Sequence, residues 1–378
     1  MKAKKVIVSV FMIICIIINN VVPIRAAEIT APSAIMIEAN SGKVIYEKNP
    51  RDIRVCASIT KIMTMILIME ALDEGKISMT DTVTASEHAA SMGGSDIWLK
   101  PGESMTVDEM IKATVVASAN DAAVALAEHI SGSEEEFVRQ MNEKAKKLGM
   151  KDTVFKNCNG LDEDGHVTSA YDVALMSREL TKHKEIFNYT SIWIDYLRDG
   201  KTQLVNTNKL LKSYKGITGL KTGTTSKAGS CISATAERNN LSLIAVVLGS
   251  SGGKERFKDA AALLDYGFAN YSMVDPPLPD DAFTQINVVG GMTNKIDTQS
   301  EIGSRFMVNK GKEKEIKAEV QLPEQLEAPV KKGQIVGKVI YKLGDETIGE
   351  CNISSKTEVE KIKFSSVFGL LIHTFLNN

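Results

Sequence analysis

The sequence predicts an α/β (α+β) protein in which helices cover one antiparallel sheet and a small β-sandwich domain follows. Strand patterns stand at both ends of residues 28–270 and helical patterns occupy the middle, an order typical of such a sheet rather than of βαβ repeats. Pro276, Pro277 and Pro279 in an acidic stretch predict a stiff linker. Beyond it, residues 283–355 contain short β-rich runs broken by glycine, which predict the second domain.

The first part of the chain carries a hairpin signal and then several helix signals. Apolar runs around an Asn-Ser-Gly turn predict a β-hairpin over residues 34–46. The apolar run 58–70 lacks Gly and Pro and predicts a helix buried nearly all round. Thr106 and Glu109 form a capping box for a helix through about Ala117. Further helices are predicted at residues 121–130, 134–148, 170–182 and 254–270.

Strand signals return in the second half of the chain. The period-two segments 230–237 and 241–249 flank Asn239-Asn240, a dipeptide that tolerates the positive φ of a tight hairpin. In the predicted second domain, the β-rich runs are residues 286–289, 335–343 and 348–353.

The composition limits the classes of function. The chain has 378 residues, so two domains are expected. Apolar residues make up 43% and charged residues 24%, as in ordinary globular proteins. Its 45 basic and 47 acidic residues leave a net charge of -2. We therefore expect no nucleic-acid partner, because that function needs a concentrated basic surface.

The N-terminus has the pattern of a secretory signal peptide over residues 1–26. Lysines at positions 2, 4 and 5 precede an apolar run over residues 6–18, and small residues follow at Ala26 and Ala27. The alternative is an uncleaved membrane anchor, although the run is short for a span. We expect an exported protein, either secreted or peripheral on the extracytoplasmic face of the membrane.

Cysteine and histidine spacing indicates neither a metal nor a cofactor. The four cysteines outside the signal peptide form no CxxC pair, and the five histidines form no HExxH motif. An even number of cysteines in an exported chain permits disulfides, but their wide separation is not that of a stapled framework. These cysteines are Cys56, Cys158, Cys231 and Cys351.

The C-terminal residues 360–378 predict an amphipathic helix that lies on membrane-surface lipid. Lys361 and Lys363 precede apolar residues at helical spacing. The alternative is a helix that packs back onto its own domain. The apolar residues are Phe364, Val367, Phe368, Leu371 and Phe375.

Ser58-Ile59-Thr60-Lys61 is the first candidate catalytic motif. A spacing of three on a helix places Ser58 and Lys61 on one face. The surrounding apolar residues would desolvate the ammonium, which lowers the pKa of Lys61 and leaves a neutral amine as a base. The alternative is a capping serine beside a lysine that reaches solvent, because this short motif also occurs by chance.

Two further motifs follow. Ser118-Ala119-Asn120 lies between two predicted helices, where a hydroxyl and a carboxamide can relay a proton and hold a substrate amide; capping of the next helix is the alternative. Lys221-Thr222-Gly223 begins a predicted strand. Its lysine and hydroxyl can bind a substrate carboxylate, and Gly223 leaves room for a peptide along the strand.

The order of these motifs resembles the active-site triad of penicillin-binding proteins and serine β-lactamases. Their flanks are similar to the low-molecular-mass D-alanyl-D-alanine carboxypeptidases (peptidase family S11), with Ala119 where glycine is frequent and Thr224 where some members have histidine. The similar segments are residues 57–64, 118–122, 159–161 with His166, 168–172 and 219–223.

The resemblance spans the mature chain and implies its architecture. It implies a β-lactamase/penicillin-binding-protein-like catalytic domain at residues 27–274 with a five-stranded antiparallel sheet. A β-rich domain would follow at 275–359, and the membrane-associating helix at 360–378.

The resemblance also implies an acyl-enzyme mechanism. Ser58 would attack the penultimate D-alanine carbonyl while Lys61 takes its proton, and the N–H groups of Ser58 and Thr224 would hold the oxyanion. Ser118 and Lys221 would pass a proton to the departing D-alanine. Asn120 would orient the acyl chain.

Thr222 and Thr224, together with Lys221, would bind the carboxylate of the departing D-alanine, and Arg256 would assist. The alternative for Arg256 is an arginine on a helix surface with no part in binding. The implied partners are the D-alanyl-D-alanine end of peptidoglycan stem peptides and, as covalent inhibitors, β-lactam antibiotics.

Three rival functions stay open. A class A β-lactamase would carry a Glu-x-x-Leu-Asn segment before the Lys-Thr-Gly strand, and none lies between Asn120 and Lys221. A D,D-endopeptidase acting on crosslinks would use the same residues. A non-catalytic cell-wall binding protein could keep the fold alone, although all reacting groups are present.

Overall fold

The computed structural model describes residues 28–300 and 305–363, together with Phe368 and Phe375. The predicted signal peptide 1–26 lies outside the described residues, as does most of the predicted helix 360–378. Phe368 and Phe375 are helical and have exposed side chains. Within the described ranges, no helix combines the length and apolar character needed to cross a bilayer.

The described chain contains nineteen strands and nine α-helices. The strands are β1 Ser33–Glu38, β2 Val44–Lys48, β3 Arg54–Val55, β4 Thr82–Thr84, β5 Ser104–Thr106, β6 Val167–Thr168, β7 Ile194–Leu197, β8 Thr202–Val205, β9 Ile217–Thr225, β10 Gly229–Arg238, β11 Leu241–Ser250, β12 Tyr271–Val274, β13 Gln285–Val289, β14 Lys295–Ser300, β15 Phe306–Asn309, β16 Ile316–Gln321, β17 Gln325–Glu327, β18 Ile335–Leu343 and β19 Glu346–Ser355. The helices are α1 Lys61–Asp73, α2 Glu87–Ala90, α3 Val107–Lys112, α4 Asn120–Ser131, α5 Glu134–Lys147, α6 Ala170–Leu180, α7 Phe187–Thr190, α8 Leu210–Ser213 and α9 Gly253–Asn270.

The central sheet of the first domain has five antiparallel strands in the order β2-β1-β11-β10-β9. Strands β10 and β11 are buried on both faces, since α9 packs on one side and α6 on the other. The positive-φ residues Asn239 and Asn240 form the turn between these strands. The predicted antiparallel sheet with helices is confirmed.

The predicted helix 58–70 begins later than expected. Ala57–Thr60 form a 3-10 turn, and α1 starts at Lys61. The turn replaces the first helical residues because Ala57 has a φ of +49°, outside the helical region. The helix itself is buried nearly all round, as predicted.

Two other boundaries differ from the prediction. Helix α3 has the predicted capping box of Thr106 and Glu109 but ends at Lys112, and a π-helical turn continues to Ala117. The Lys221-Thr222-Gly223 motif lies in the middle of β9 rather than at its start. Both differences arise because local sequence sets the periodicity of an element better than its ends.

The second domain is β-rich, as predicted. Its strands form one six-stranded sheet in the order β16-β18-β19-β14-β13-β17, in which only β13 and β17 pair in parallel. Strand β14 bends this sheet, because Lys295–Asp297 pair with β13 whereas Thr298–Ser300 pair with β19. Its core contains Val339, Tyr341 and Ile353.

The two domains are joined by a strand pair and a shared core residue. Strand β12 leaves α9 directly and pairs with β15 of the second domain. Met307 of β15 is buried in the first domain's core. Lys310 donates through Nζ to the Phe268 carbonyl at 2.5 Å, and Lys43 forms an ion pair with Glu346 at 3.0 Å.

Candidate active site

Ser58 lies at the open side of a tightly packed turn. It is the one residue of the Ala57–Thr60 turn that is not fully buried. The turn precedes α1, so backbone N–H groups at this end are available to an anion. The hydroxyl of Ser58 is therefore accessible to a substrate.

The backbone of Ala57 is held in an unusual conformation by its neighbours. Its carbonyl accepts a hydrogen bond from the Thr60 hydroxyl at 2.8 Å. Gly160 packs so closely that a Cβ atom there would lie 2.0 Å from the Ala57 oxygen, and its φ is +90°. Only glycine fits this position. A positive φ at alanine persists only where surrounding contacts determine it.

His166 is a buried contributor to this turn. Its Nδ1 accepts from the Lys156 N–H at 3.2 Å, so Nε2 carries the proton and donates to the Thr60 hydroxyl at 2.8 Å. Burial lowers the pKa of His166 to about 4. The ring is thus neutral at physiological pH, and its hydrogen bonds fix the direction in which Thr60 donates to Ala57.

Lys61 is fully buried beside Ser58. Its Nζ lies 3.4 Å from the Ser58 Oγ and donates to the Asn120 side-chain oxygen at 2.5 Å and the Asn159 carbonyl at 2.7 Å. Desolvation lowers the pKa of Lys61 to about 7. A neutral amine is consequently available near neutral pH.

The charged and titratable groups around Lys61 only partly offset this desolvation. The carboxylates of Asp96 and Asp121 raise its pKa, whereas burial and the charge of Lys61 lower the pKa of Lys221 on β9. The nearby Cys158 thiol adds no charge, because burial raises its pKa well above the usual range. One carboxylate oxygen of Asp96 is buried without a hydrogen-bond partner. Burial, then Asp121, raises the pKa of Asp96, as expected for a carboxylate with little solvation.

Asn120 is positioned by a loop, residues 93–99, that we call the rim loop. The backbone N–H of Asn120 donates to the Ser95 carbonyl at 2.6 Å, and the side-chain amide of Asn120 donates to the Gly93 carbonyl at 2.7 Å. Next to it, the buried Asp121 accepts from the N–H groups of Ile97 and Leu99. The rim loop and Asn120 are therefore fixed together.

Ser118 and Lys221 form a second buried hydroxyl–amine pair. Ser118 follows the π-helical turn with a φ of +63°, which presents its Oγ to the Lys221 Nζ at 2.8 Å. Lys221 also donates to the Thr222 carbonyl at 2.9 Å. Burial holds the pKa of Lys221 well below its usual range, and the charges of Lys61 and Arg256 act in the same direction.

Strand β9 runs directly beside Ser58. A Cβ atom on Gly223 would lie 3.0 Å from the backbone nitrogens of Ser58 and Ile59. The glycine thus helps β9 to approach the 3-10 turn, because a side chain there would force the turn to shift by a few tenths of an ångström. Our expectation that it also makes room for a peptide stays a prediction. The Thr222 hydroxyl donates to Thr207 at 2.6 Å.

Arg256 reaches β9 from the first turn of α9. Its Nη1 donates to the Thr224 hydroxyl at 2.7 Å and to the Gly223 carbonyl at 3.0 Å. Its Nε is buried without a hydrogen-bond partner. The exposed Thr224 and this buried guanidinium make the end of β9 suitable for a carboxylate.

The structure brings the candidate residues from four segments of the sequence into one cleft. Ser58 and Lys61 come from the turn and α1, Ser118 and Asn120 from the start of α4, and the others from β9 and α9. Sequence reasoning missed Thr207, the Asn159 carbonyl and the rim loop. A backbone acceptor has no sequence signal, although the Asn159-Gly160-Leu161 segment belonged to the family resemblance.

The cysteines and possible metal ligands take no part in this arrangement. The four cysteines of the described chain are buried free thiols. No group of three or more His, Cys, Asp or Glu residues could hold a metal ion in the part of the chain that the structure describes.

The comparisons with known proteins agree with this geometry. A model of the D-alanyl-D-alanine carboxypeptidase family matches residues 20–252. The chain is 46% identical to D-alanyl-D-alanine carboxypeptidase DacF of Bacillus subtilis over 88% of its own length and 87% of that protein. The chain belongs to the D-alanyl-D-alanine carboxypeptidase family. Members of this family are serine-type enzymes, so the predicted enzyme class and function are confirmed.

Two more relatives cover both domains. The carboxypeptidase DacA of Escherichia coli K12 is 33% identical over 91% of this chain and 87% of that protein. The solved structure of penicillin-binding protein 5 from Haemophilus influenzae has a TM-score of 0.78 and 33% identity, and covers 88% of this chain and 98% of that one. A model of the penicillin-binding protein 5 C-terminal domain matches residues 271–361.

Proposed function

We propose that this carboxypeptidase removes the terminal D-alanine from peptidoglycan stem pentapeptides through an acyl-enzyme on Ser58. One observation supports this above the others: a fully buried lysine amine lies 3.4 Å from an accessible serine hydroxyl. With its pKa lowered to about 7, Lys61 is a base suited to the operating pH. No metal or cofactor enters this mechanism.

In the first step, Lys61 takes the proton of Ser58 as Oγ attacks the carbonyl of the penultimate D-alanine. The N–H groups of Ser58 and Thr224 stabilise the oxyanion, because β9 lies against the nucleophile turn. Asn120 already bonds Lys61, so its amide can hold the acyl chain next to the base.

The tetrahedral intermediate then loses D-alanine. The peptide C–N bond breaks as the departing amine takes a proton from Ser118, which Lys221 reprotonates across their 2.8 Å hydrogen bond. The proton that Lys61 removed from Ser58 replaces the one that Lys221 gives up, so both amines are neutral again before water attacks. Thr222 and Thr224, with Lys221 and Arg256, bind the carboxylate of the departing residue. Water finally hydrolyses the ester on Ser58.

β-Lactams imitate this substrate, and we propose that they acylate Ser58. The relative whose structure is described in an ampicillin-bound form is penicillin-binding protein D2 of Listeria monocytogenes, 34% identical over 64% of this chain. The penicilloyl adduct should hydrolyse slowly, because the sequence lacks the class A β-lactamase glutamate segment. Rapid loss of the adduct by mass spectrometry would favour a β-lactamase instead.

The test is incubation with labelled penicillin, followed by peptide mapping. We expect one labelled peptide, carrying Ser58, and loss of both label and D-alanine release in Ser58→Ala. Ser213→Ala, which removes an exposed serine hydroxyl, is the matched control. Undiminished D-alanine release by Ser58→Ala would refute the nucleophile assignment.

A D,D-endopeptidase would use the same residues and differs from a carboxypeptidase in its substrate, a crosslinked peptide. The D-alanyl-D-alanine endopeptidase of Escherichia coli is 30% identical over 62% of this chain. A pentapeptide and a crosslinked peptide dimer, assayed side by side, distinguish the activities. We expect faster turnover of the pentapeptide, and the reverse order would assign the chain to crosslink cleavage.

We further propose that residues 1–26 direct export and that the tail 360–378 binds lipid, so the enzyme acts on the extracytoplasmic face of the membrane. The basic start, apolar run and small residues support cleavage after Ala26. N-terminal sequencing of the mature protein tests the first proposal. Flotation with anionic vesicles, comparing the mature chain with one ending at residue 359, tests the second.

A further inference from the structure

Trp98 has an unusual position in the rim loop. Its backbone φ is +55°, a region that bulky side chains rarely occupy. Its side chain is 79% exposed, whereas Ile97 and Leu99 on either side are buried. An apolar ring with so little contact in the free protein contributes little to folding. Such an outlier points to a function outside the fold itself.

The backbone around Trp98 is held from two sides. The N–H groups of Ile97 and Leu99 both donate to Asp121. The Ile97 carbonyl accepts from the Arg198 guanidinium at 2.9 Å, and Arg198 also bonds Glu103 at 2.7 Å. These contacts keep the indole at a fixed place, so a ligand can bind it without ordering the loop.

Trp98 is also close to the substrate cleft. The same rim loop bonds Asn120 through the carbonyls of Gly93 and Ser95. Trp98 is the third residue after Ser95, so their Cα atoms are at most about 11 Å apart. Leu161, which is 37% exposed, lies beside Gly94, as does the amide of Asn120. The rim of the cleft therefore presents apolar surface next to the residue that orients the acyl chain.

We infer that the Trp98 indole packs against the long aliphatic side chain of the third stem residue, a diamino acid, and sets the enzyme's preference for it. This inference rests on the proposed function. The third residue directly precedes the attacked D-alanine, so its Cα lies about 3.8 Å from the next one. The sugar of the glycan lies two residues further away and is the less suitable occupant.

The experiment is a double-mutant cycle between Trp98 and the substrate side chain. Kinetics with Nα,Nε-diacetyl-L-Lys-D-Ala-D-Ala and N-acetyl-L-Ala-D-Ala-D-Ala are compared for the wild type and Trp98→Ala. We expect kcat/KM on the lysine peptide to fall about fivefold further than on the alanine peptide, which corresponds to partial burial of a few methylene groups. Trp98→Phe should retain most of the preference, and Phe283→Ala, an exposed aromatic in the second domain, should retain all of it.

Equal losses on both peptides would overturn the inference, because Trp98 would then act only through the loop. No loss on either peptide would overturn it as well, as would a Trp98 effect that appears only with a muramyl pentapeptide. Hydrolysis of neither peptide by the wild type would instead refute the proposed function. A direct readout uses Ser58→Ala/Trp193→Phe, in which Trp98 is the only tryptophan; the lysine peptide should change its fluorescence more than the alanine peptide does.

Discussion

The Nζ of Lys61 donates a hydrogen bond to the Asn159 carbonyl at 2.7 Å, so this amine is held by backbone as well as by side chains. Asn159 directly precedes Gly160, which fixes the turn that carries Ser58. The positions of Lys61 and Ser58 are therefore set by the same segment.

Acylation should depend on the protonation of Lys61. With a pKa of about 7, the amine is protonated and inactive as a base at lower pH, so the acylation rate should rise through pH 7. Lys61→Arg keeps its charge at every accessible pH and should lose at least about 100-fold in rate. Penicillin acylation between pH 5 and 9 measures both effects. Lys76→Arg, an exposed substitution, should keep the wild-type profile, and a rate independent of pH around 7 would contradict this role.

Gly160 should tolerate no side chain. Gly160→Ala places Cβ 2.0 Å from the Ala57 oxygen at a φ of +90°, so we expect a loss of at least about 3 kcal/mol of stability and a large loss of acylation. Gly149→Ala is the matched control, because its φ is +75° and nothing lies within 4 Å of the added Cβ. That control should lose about 1 kcal/mol and keep its activity. Similar unfolding free energies for the two variants would exclude the proposed clash.

His166 should make stability fall in acid. Its pKa is about 4 when folded and 6.5 when unfolded, so the unfolded chain binds a proton first as pH falls. Above pH 6.5 the ring is neutral in both states and the free energy of unfolding is at its full value. It falls progressively towards pH 4, by as much as about 3 kcal/mol. Urea unfolding across this range should show a shallower pH slope for His166→Gln than for the wild type. Equal slopes would mean that the ring is already accessible to protons in the fold.

Arg256 should matter most for substrates with a free terminal carboxylate. Removing a buried cation from a carboxylate site costs about 2 kcal/mol or more, so Arg256→Gln should lower kcat/KM for such a peptide by at least about tenfold. The matching peptide with a C-terminal amide should lose much less. The ratio of the two rates isolates charge recognition from disturbance of β9. If kcat/KM falls equally for both peptides, Arg256 acts only by holding Gly223 and Thr224 in position.

The sequence predicts the reacting groups better than it predicts the backbone that holds them. Ser58 and Lys61 follow from a spacing of three, because that spacing brings side chains together on a helix or a helical turn. The positive φ of Ala57 does not follow, because it depends on Gly160 more than 100 residues away. Ser118 and Asn120 were predicted between helices, but the π-helical turn before them has no sequence signal.

Contacts made by residues outside the motifs could not be predicted from the sequence either. Thr207 is a single hydroxyl in a segment without periodicity, and only the fold brings it to Thr222. The rim loop was overlooked because Asp121 holds it through backbone N–H groups, which any residue type offers. The second domain's β-rich character was predictable from its runs, whereas its corner at β14 depends on pairing that local patterns do not encode.

The β12–β15 pair has a consequence for how the molecule unfolds. Met307 fills a place in the neighbouring domain's interior, so melting the second domain would leave a void in the first and strip β12 of its partner. Calorimetry should then record one cooperative endotherm for both halves, not two separate events. Heating would then unfold both domains together and inactivate the enzyme in one step.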